Sequence, residues 1–86
     1  MPRISEFYGI LIYMYFQDHP PAHFHAIYAE HEALVGIESG NVLEGRLPSR
    51  ALKLVQEWRD LHQAELLEDW RKAQEGERLV RIAPLD

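Results

Sequence analysis

The chain contains no cysteine. A disulfide framework and a thiolate-based zinc site are therefore excluded. Long apolar runs are missing as well. The longest, Ile10–Phe16, falls far short of the ~20 residues that a membrane-spanning helix requires. Glu6 just before that run and Asp18 just after it also argue against a signal peptide, so a cytoplasmic protein is expected. Basic residues are scarce: nine oppose fourteen acids, and the net charge of −5 removes any bulk attraction to nucleic acid. Residues 1–47 hold only two of the nine bases, Arg3 and Arg46, so any anion-binding surface has to come from a local cluster. Glycine and proline number five each, too few for a low-complexity segment. With 86 residues, 47% of them apolar, the chain allows one small domain, residues 1–86, and no second core.

What is present reads first as strand. Arg3–Phe7 is a short candidate strand, and Tyr8-Gly9 offers a turn. Ile10–Phe16 is rich in β-branched and aromatic residues, as buried strands are. Asp18-His19-Pro20-Pro21 cannot continue a central strand, because two prolines remove two backbone donors. His23–Ala29 and Glu32–Glu38 form the next two strands, joined around Glu30-His31, and Ser39-Gly40-Asn41 turns into Val42–Leu43. Helix starts near Leu47-Pro48-Ser49, where proline suits the first turn, and Gly76 caps its end.

The helical stretch carries two apolar stripes. At about 100° per residue, Ala51, Leu54, Val55, Trp58 and Leu61 share one face, while Leu66, Trp70 and Ala73 share another. A single straight helix cannot bury both against one sheet, so a kink or short turn is expected at His62–Ala64. The expected fold is α+β: an antiparallel sheet of four or five short strands (residues 3–44), covered by a helical hairpin or kinked helix (48–75), with a short C-terminal edge strand at 79–82. Phe24, Tyr28, Val35, Ile37, Leu54, Trp58 and Leu61 are the expected core.

Three of the five histidines, His19, His23 and His25, fall within seven positions. Histidine readily becomes a metal ligand or a proton carrier near neutral pH. An even-length turn puts Phe24, Ala26 and Tyr28 on the core face with Ala33, Val35 and Ile37, and turns His23 and His25 to the opposite face. With the turn at Glu30-His31, His23 faces Glu38 and His25 faces Gly36. Two histidines at i and i+2 with a carboxylate opposite form three corners of a site for a divalent metal such as zinc or nickel, with His19 as a further ligand. The same three histidines also suit metal-free proton-transfer or phosphate chemistry, and His23 and Glu38 also suit a plain cross-strand pair. A second cluster, Arg46, Arg50 and Lys53, lies at the start of the helix. It suits an anion or RNA, or else a solvated face paired with Glu44 and Glu57.

Pro2-Arg3-Ile4-Ser5, Gly9-Ile10, His19-Pro20-Pro21 with His23-Phe24-His25, Glu44-Gly45-Arg46-Leu47-Pro48, Glu57-Trp58, Leu61-His62, Glu65-Leu66 and Trp70 together resemble the bacterial family called domain of unknown function 4160. The resemblance spans nearly the whole chain, and its histidine–proline core is the most specific part. It carries over no catalytic residue. It implies genes set beside that of another small uncharacterised protein, an organisation like that of toxin–antitoxin pairs. The first functional expectation is therefore a small interaction module. The alternative is a small histidine-dependent enzyme, a ribonuclease-like toxin or a metal-dependent hydrolase, using His19, His23 and His25. Two tryptophans and two helical stripes exceed what one thin layer easily covers. A homodimer, or a heterodimer with the neighbouring-gene protein, is expected through Leu66, Leu67 and Trp70 or through an open sheet edge.

Overall fold

The computed structural model describes residues 2–86. Five strands, β1 (Arg3–Phe7), β2 (Ile10–Tyr13), β3 (His23–Tyr28), β4 (His31–Gly36) and β5 (Val42–Gly45), precede one long helix, α1 (Ser49–Gln74). The strands pair antiparallel in chain order, β1-β2-β3-β4-β5. The α+β architecture expected from the patterning is the one observed. Among the described residues, no helix is long and apolar enough to cross a membrane.

The helix covers one face of the sheet. Ile10, Ile12, Phe24, Ala26, Ala33 and Val35 from that face are buried against Ala51, Val55, Trp58, Leu66 and Ala73 of α1. The kink falls where the two stripes require it, at His62 (φ −125°, ψ 24°). Two residues of the expected core, Leu61 and Tyr28, are instead exposed, at 66% and 36%. From Ala51, Val55 and Trp58 the packed stripe runs on to His62, so Leu61 falls about 90° off its centre line. Tyr28 has the right face but lies at the strand's end, where it lines a groove with Tyr8, Pro48 and Arg50. Because the kink lets the second stripe reach the sheet, Leu66 is fully buried within the chain, and Leu67 and Trp70 pack partly against the same core. Of the expected seam Leu66, Leu67 and Trp70, Leu66 is thus covered within the chain, while Leu67 and Trp70 keep part of their surface exposed.

The β3–β4 turn closes one residue earlier than expected, at Ala29-Glu30, with Tyr28 opposite His31 and Ala29 at φ 53°. The loop remains even in length, so every residue keeps its face, but each cross-strand partner moves by two. His23 therefore faces Gly36 and His25 faces Leu34. The expected His23–Glu38 and His25–Gly36 pairings are replaced. At the sheet's other edge, Gly45 (φ 79°) comes so close to β4 that a Cβ would collide with the Glu32 backbone. That approach lets the Arg46 N–H donate to Glu32 O at 3.0 Å.

The C-terminal segment docks as an extended strap. Ile82 N–H donates to Ile4 O at 2.8 Å, the Trp58 indole N–H to Ala83 O at 2.8 Å, and Val80 N–H to Asp69 Oδ1 at 2.9 Å. It runs beside β1, yet makes too few ladder bonds to form the edge strand expected at 79–82. Gly76 (φ 71°) ends the helix as a left-handed cap, with Glu77 N–H returning to Lys72 O at 2.8 Å.

Candidate functional site

The connection between β2 and β3 runs back along the sheet, so Asp18 near its middle returns to the start of β3. The end of α1 fixes it there: Gln17 N–H donates to Ala73 O at 3.1 Å, and the Gln74 side-chain amide donates to Asp18 O at 3.2 Å. His23 and His25 project from one face of β3 toward this loop. Their Nε2 atoms lie 3.0 and 3.1 Å from the same oxygen, Asp18 Oδ2. Asp18 Oδ1 accepts the His19 backbone N–H at 2.8 Å. One ligand-type atom from each of Asp18, His23 and His25 falls within 4.8 Å of the other two.

The second ring nitrogens are held as well. His23 Nδ1 lies 2.8 Å from Pro21 O, so the Pro-Pro turn supplies an acceptor as well as a strand break. His25 Nδ1 lies 3.2 Å from Glu32 Oε2, a diagonal neighbour, since Glu32 is the register partner of Ile27. Trp70 packs against His23 at 5.2 Å between centroids, and Tyr15 meets the His25 ring edge-on at 4.3 Å. The centre is largely shielded: side-chain exposure is 0% for His23, 12% for His25 and 18% for Asp18. His19 stays outside, 63% exposed, with Nε2 3.7 Å from Asp18 Oδ1 and its ring 5.1 Å from that of His23.

Burial pushes the Asp18 carboxyl up, but hydrogen bonds from His25, the His19 N–H and His23 outweigh it and hold the group below the usual carboxylate range. The Tyr15 phenol is pushed up, first by burial and then by the nearby Glu32, Tyr13 and Asp18.

Of the expected site residues, the fold brings His23 and His25 together with His19 at the margin. It leaves Glu38 out, exposed in the turn after β4, with its carbonyl accepting Arg59 Nη2 at 3.0 Å. Asp18 provides the carboxylate instead. Asp18 and Glu32 are absent from the expected set because both depend on the register and on where the loop returns. The one local signal for Asp18 is its place at the head of the histidine–proline segment. Arg46, Arg50 and Lys53 are exposed, and none takes part in an ion pair among the described residues. Arg50 lies beside Tyr28, while His23 begins the same strand. At 3.3 Å per residue the two clusters stand about 16 Å apart along the sheet. The basic trio is not part of the histidine centre.

Fold and site together define a small α+β domain with a shielded two-histidine, one-carboxylate centre at one end of its sheet. A family model described as Domain of unknown function (DUF4160) matches residues 9–71, a span that takes in Asp18, both histidines and the helix kink. The chain belongs to that family. No curated protein and no solved structure matches it.

Proposed function

We propose that this protein is a small bacterial, cytoplasmic, histidine-dependent hydrolase whose working groups are Asp18, His23 and His25, with His19 at the open side. One observation carries the reading: both Nε2 atoms converge on one carboxylate oxygen in a partly shielded setting. Burying three polar side chains is unfavourable unless they are mutually satisfied, and a plain apolar contact would serve the fold better. Paired imidazoles beside an exposed third histidine suit proton transfer in hydrolysis, with phosphodiesters such as RNA as the substrate class. The test is cleavage of RNA and of a generic phosphodiester by wild type, Asp18→Asn and His25→Ala, each checked for an intact melting transition. The reading expects cleavage that both folded variants lose. Equal cleavage by the variants, or no cleavage of either substrate by wild type, overturns it.

A second reading, an interaction module forming one half of a toxin–antitoxin-like pair, is supported by the face of the sheet that α1 leaves uncovered. Leu11, Tyr13, Ile27 and Leu34 lie there, each only partly buried. A homodimer, or a complex with the small neighbouring-gene protein, would cover that face. Sedimentation of the chain alone and mixed with that protein separates these outcomes from a monomer.

A further inference from the structure

We propose that Asp18 Oδ2, His23 Nε2 and His25 Nε2 bind one divalent transition-metal ion of the zinc, nickel or iron class, with Pro21 O and Glu32 as the outer partners that orient the two imidazoles. This rests on the hydrolase reading and names its cofactor, with His23 and His25 then serving as metal ligands and no longer as the proton-transfer groups.

His23 faces two acceptors, the Pro21 carbonyl at Nδ1 and the Asp18 carboxylate at Nε2. His25 likewise faces two carboxylates, Glu32 at Nδ1 and Asp18 at Nε2. A neutral imidazole has one N–H and one lone pair. Every neutral tautomer of either ring therefore sets a lone pair against an acceptor oxygen at 2.8–3.2 Å. A protonated Asp18 has one hydrogen and relieves only one of them.

With Asp18 and Glu32 both ionised, two solutions remain. Both rings can be imidazolium, placing two like charges with centroids 5.3 Å apart, one of them on a side chain with no exposure. Alternatively, each ring keeps its hydrogen at Nδ1, donated to Pro21 O or to Glu32, and both Nε2 lone pairs and Oδ2 turn to one cation. The second solution satisfies every atom with a single added charge centre. It is also the arrangement by which proteins hold histidine ligands, with Nδ1–H on a carbonyl or carboxylate and Nε2 on the metal.

The spacing agrees. An ion about 2.1 Å from each atom subtends about 90° across edges of 3.0 and 3.1 Å, the angle between adjacent ligands of a six-coordinate ion. Two imidazoles and a carboxylate on one side leave the remaining positions for water and substrate. The chemistry selects borderline ions over calcium or magnesium, which prefer oxygen ligands throughout.

The experiment is calorimetric titration of untagged, full-length protein with Ni²⁺ and with Zn²⁺, paired with melting curves. The expected result is one ion per chain and a rise in melting temperature with metal concentration. Asp18→Asn and His25→Ala should weaken the dissociation constant at least tenfold. Glu32→Gln removes only an outer partner on a half-exposed side chain and should weaken it roughly 10- to 100-fold. His31→Ala, at the start of β4 and away from the centre, should change nothing. Absence of binding, or binding equal in wild type, Asp18→Asn and His25→Ala, overturns the proposal and leaves the doubly protonated pair. The hydrolase reading fails separately. Cleavage that survives a chelator but is lost in Asp18→Asn rejects the metal and keeps the hydrolase. Tight binding without cleavage keeps the metal and rejects the hydrolase.

Discussion

Truncation of Trp58 to alanine tests how the two halves of the molecule are joined. Trp58 is fully buried, and its ring packs 5.3 Å from Phe7 and edge-on 5.6 Å from Phe24. It therefore ties the helix to both β1 and β3. Its indole N–H also holds the C-terminal strap through Ala83 O. Loss of the ring should cost about 3–5 kcal/mol, and loss of the bond to the strap about 1 kcal/mol more. A domain of this size has roughly 4–13 kcal/mol in total, so the variant should be marginally folded. Urea unfolding followed by the fluorescence of the remaining Trp70 measures the loss. Leu61→Ala is the matched control. At 66% exposure it should change stability by less than about 0.5 kcal/mol. A loss below about 2 kcal/mol for Trp58→Ala, or a larger loss for Leu61→Ala, would show that the helix sits on the sheet by a different face.

Leu66→Ala should cost about 2–5 kcal/mol as a core cavity, with no change in sedimentation, because its side chain is buried within the chain. Asp69 is buried with Oδ2 unpartnered, and burial first, against the bond from Val80 N–H, pushes its carboxyl above the usual range. Its contribution is therefore fully present below the unfolded-state pKa and is lost as pH rises through the folded-state value. Melting curves should accordingly show wild type losing ground to Asp69→Asn as pH rises above the ordinary Asp value of about 4; wild type gaining on the variant with rising pH contradicts the sign. Gly45→Ala should destabilise by about 1–2 kcal/mol or more, since φ is 79° and the new Cβ meets Glu32, and an unchanged urea midpoint would refute it.

Much of the architecture follows from patterns within single elements. The β-branched and aromatic run from Ile10, the Pro-Pro break and the two out-of-phase helical stripes define strand, loop and kinked helix without reference to any distant residue. The phase change even places the kink, because the stripe of Ala51, Leu54, Val55, Trp58 and Leu61 and that of Leu66, Trp70 and Ala73 are out of phase on a regular helix. Partners across elements are less legible. An even turn fixes which face His23 and His25 occupy, but two even turns one position apart exchange Glu38 for Gly36 as the residue opposite His23. Alternation cannot tell those turns apart. The centre's actual carboxylate, Asp18, is placed by a loop whose path depends on backbone contacts with the end of α1, more than fifty residues away. That contact leaves no periodic trace. The burial of Leu66 is hard to foresee for a related reason: the sequence contains both stripes, but the angle at His62 decides how the second one meets the sheet.

The convergence of two imidazoles on Asp18 is the central claim, and nitrogen-15 NMR of the five histidine rings tests it most directly. In the presence of one equivalent of Zn²⁺ at neutral pH, His23 and His25 should each show a hydrogen on Nδ1, and their two Nε2 resonances should shift together, while His31 and His62 stay unmoved. Spectra in which Nε2 of His23 and His25 are unchanged by the metal, or in which either ring carries its hydrogen on Nε2 under those conditions, would contradict the account.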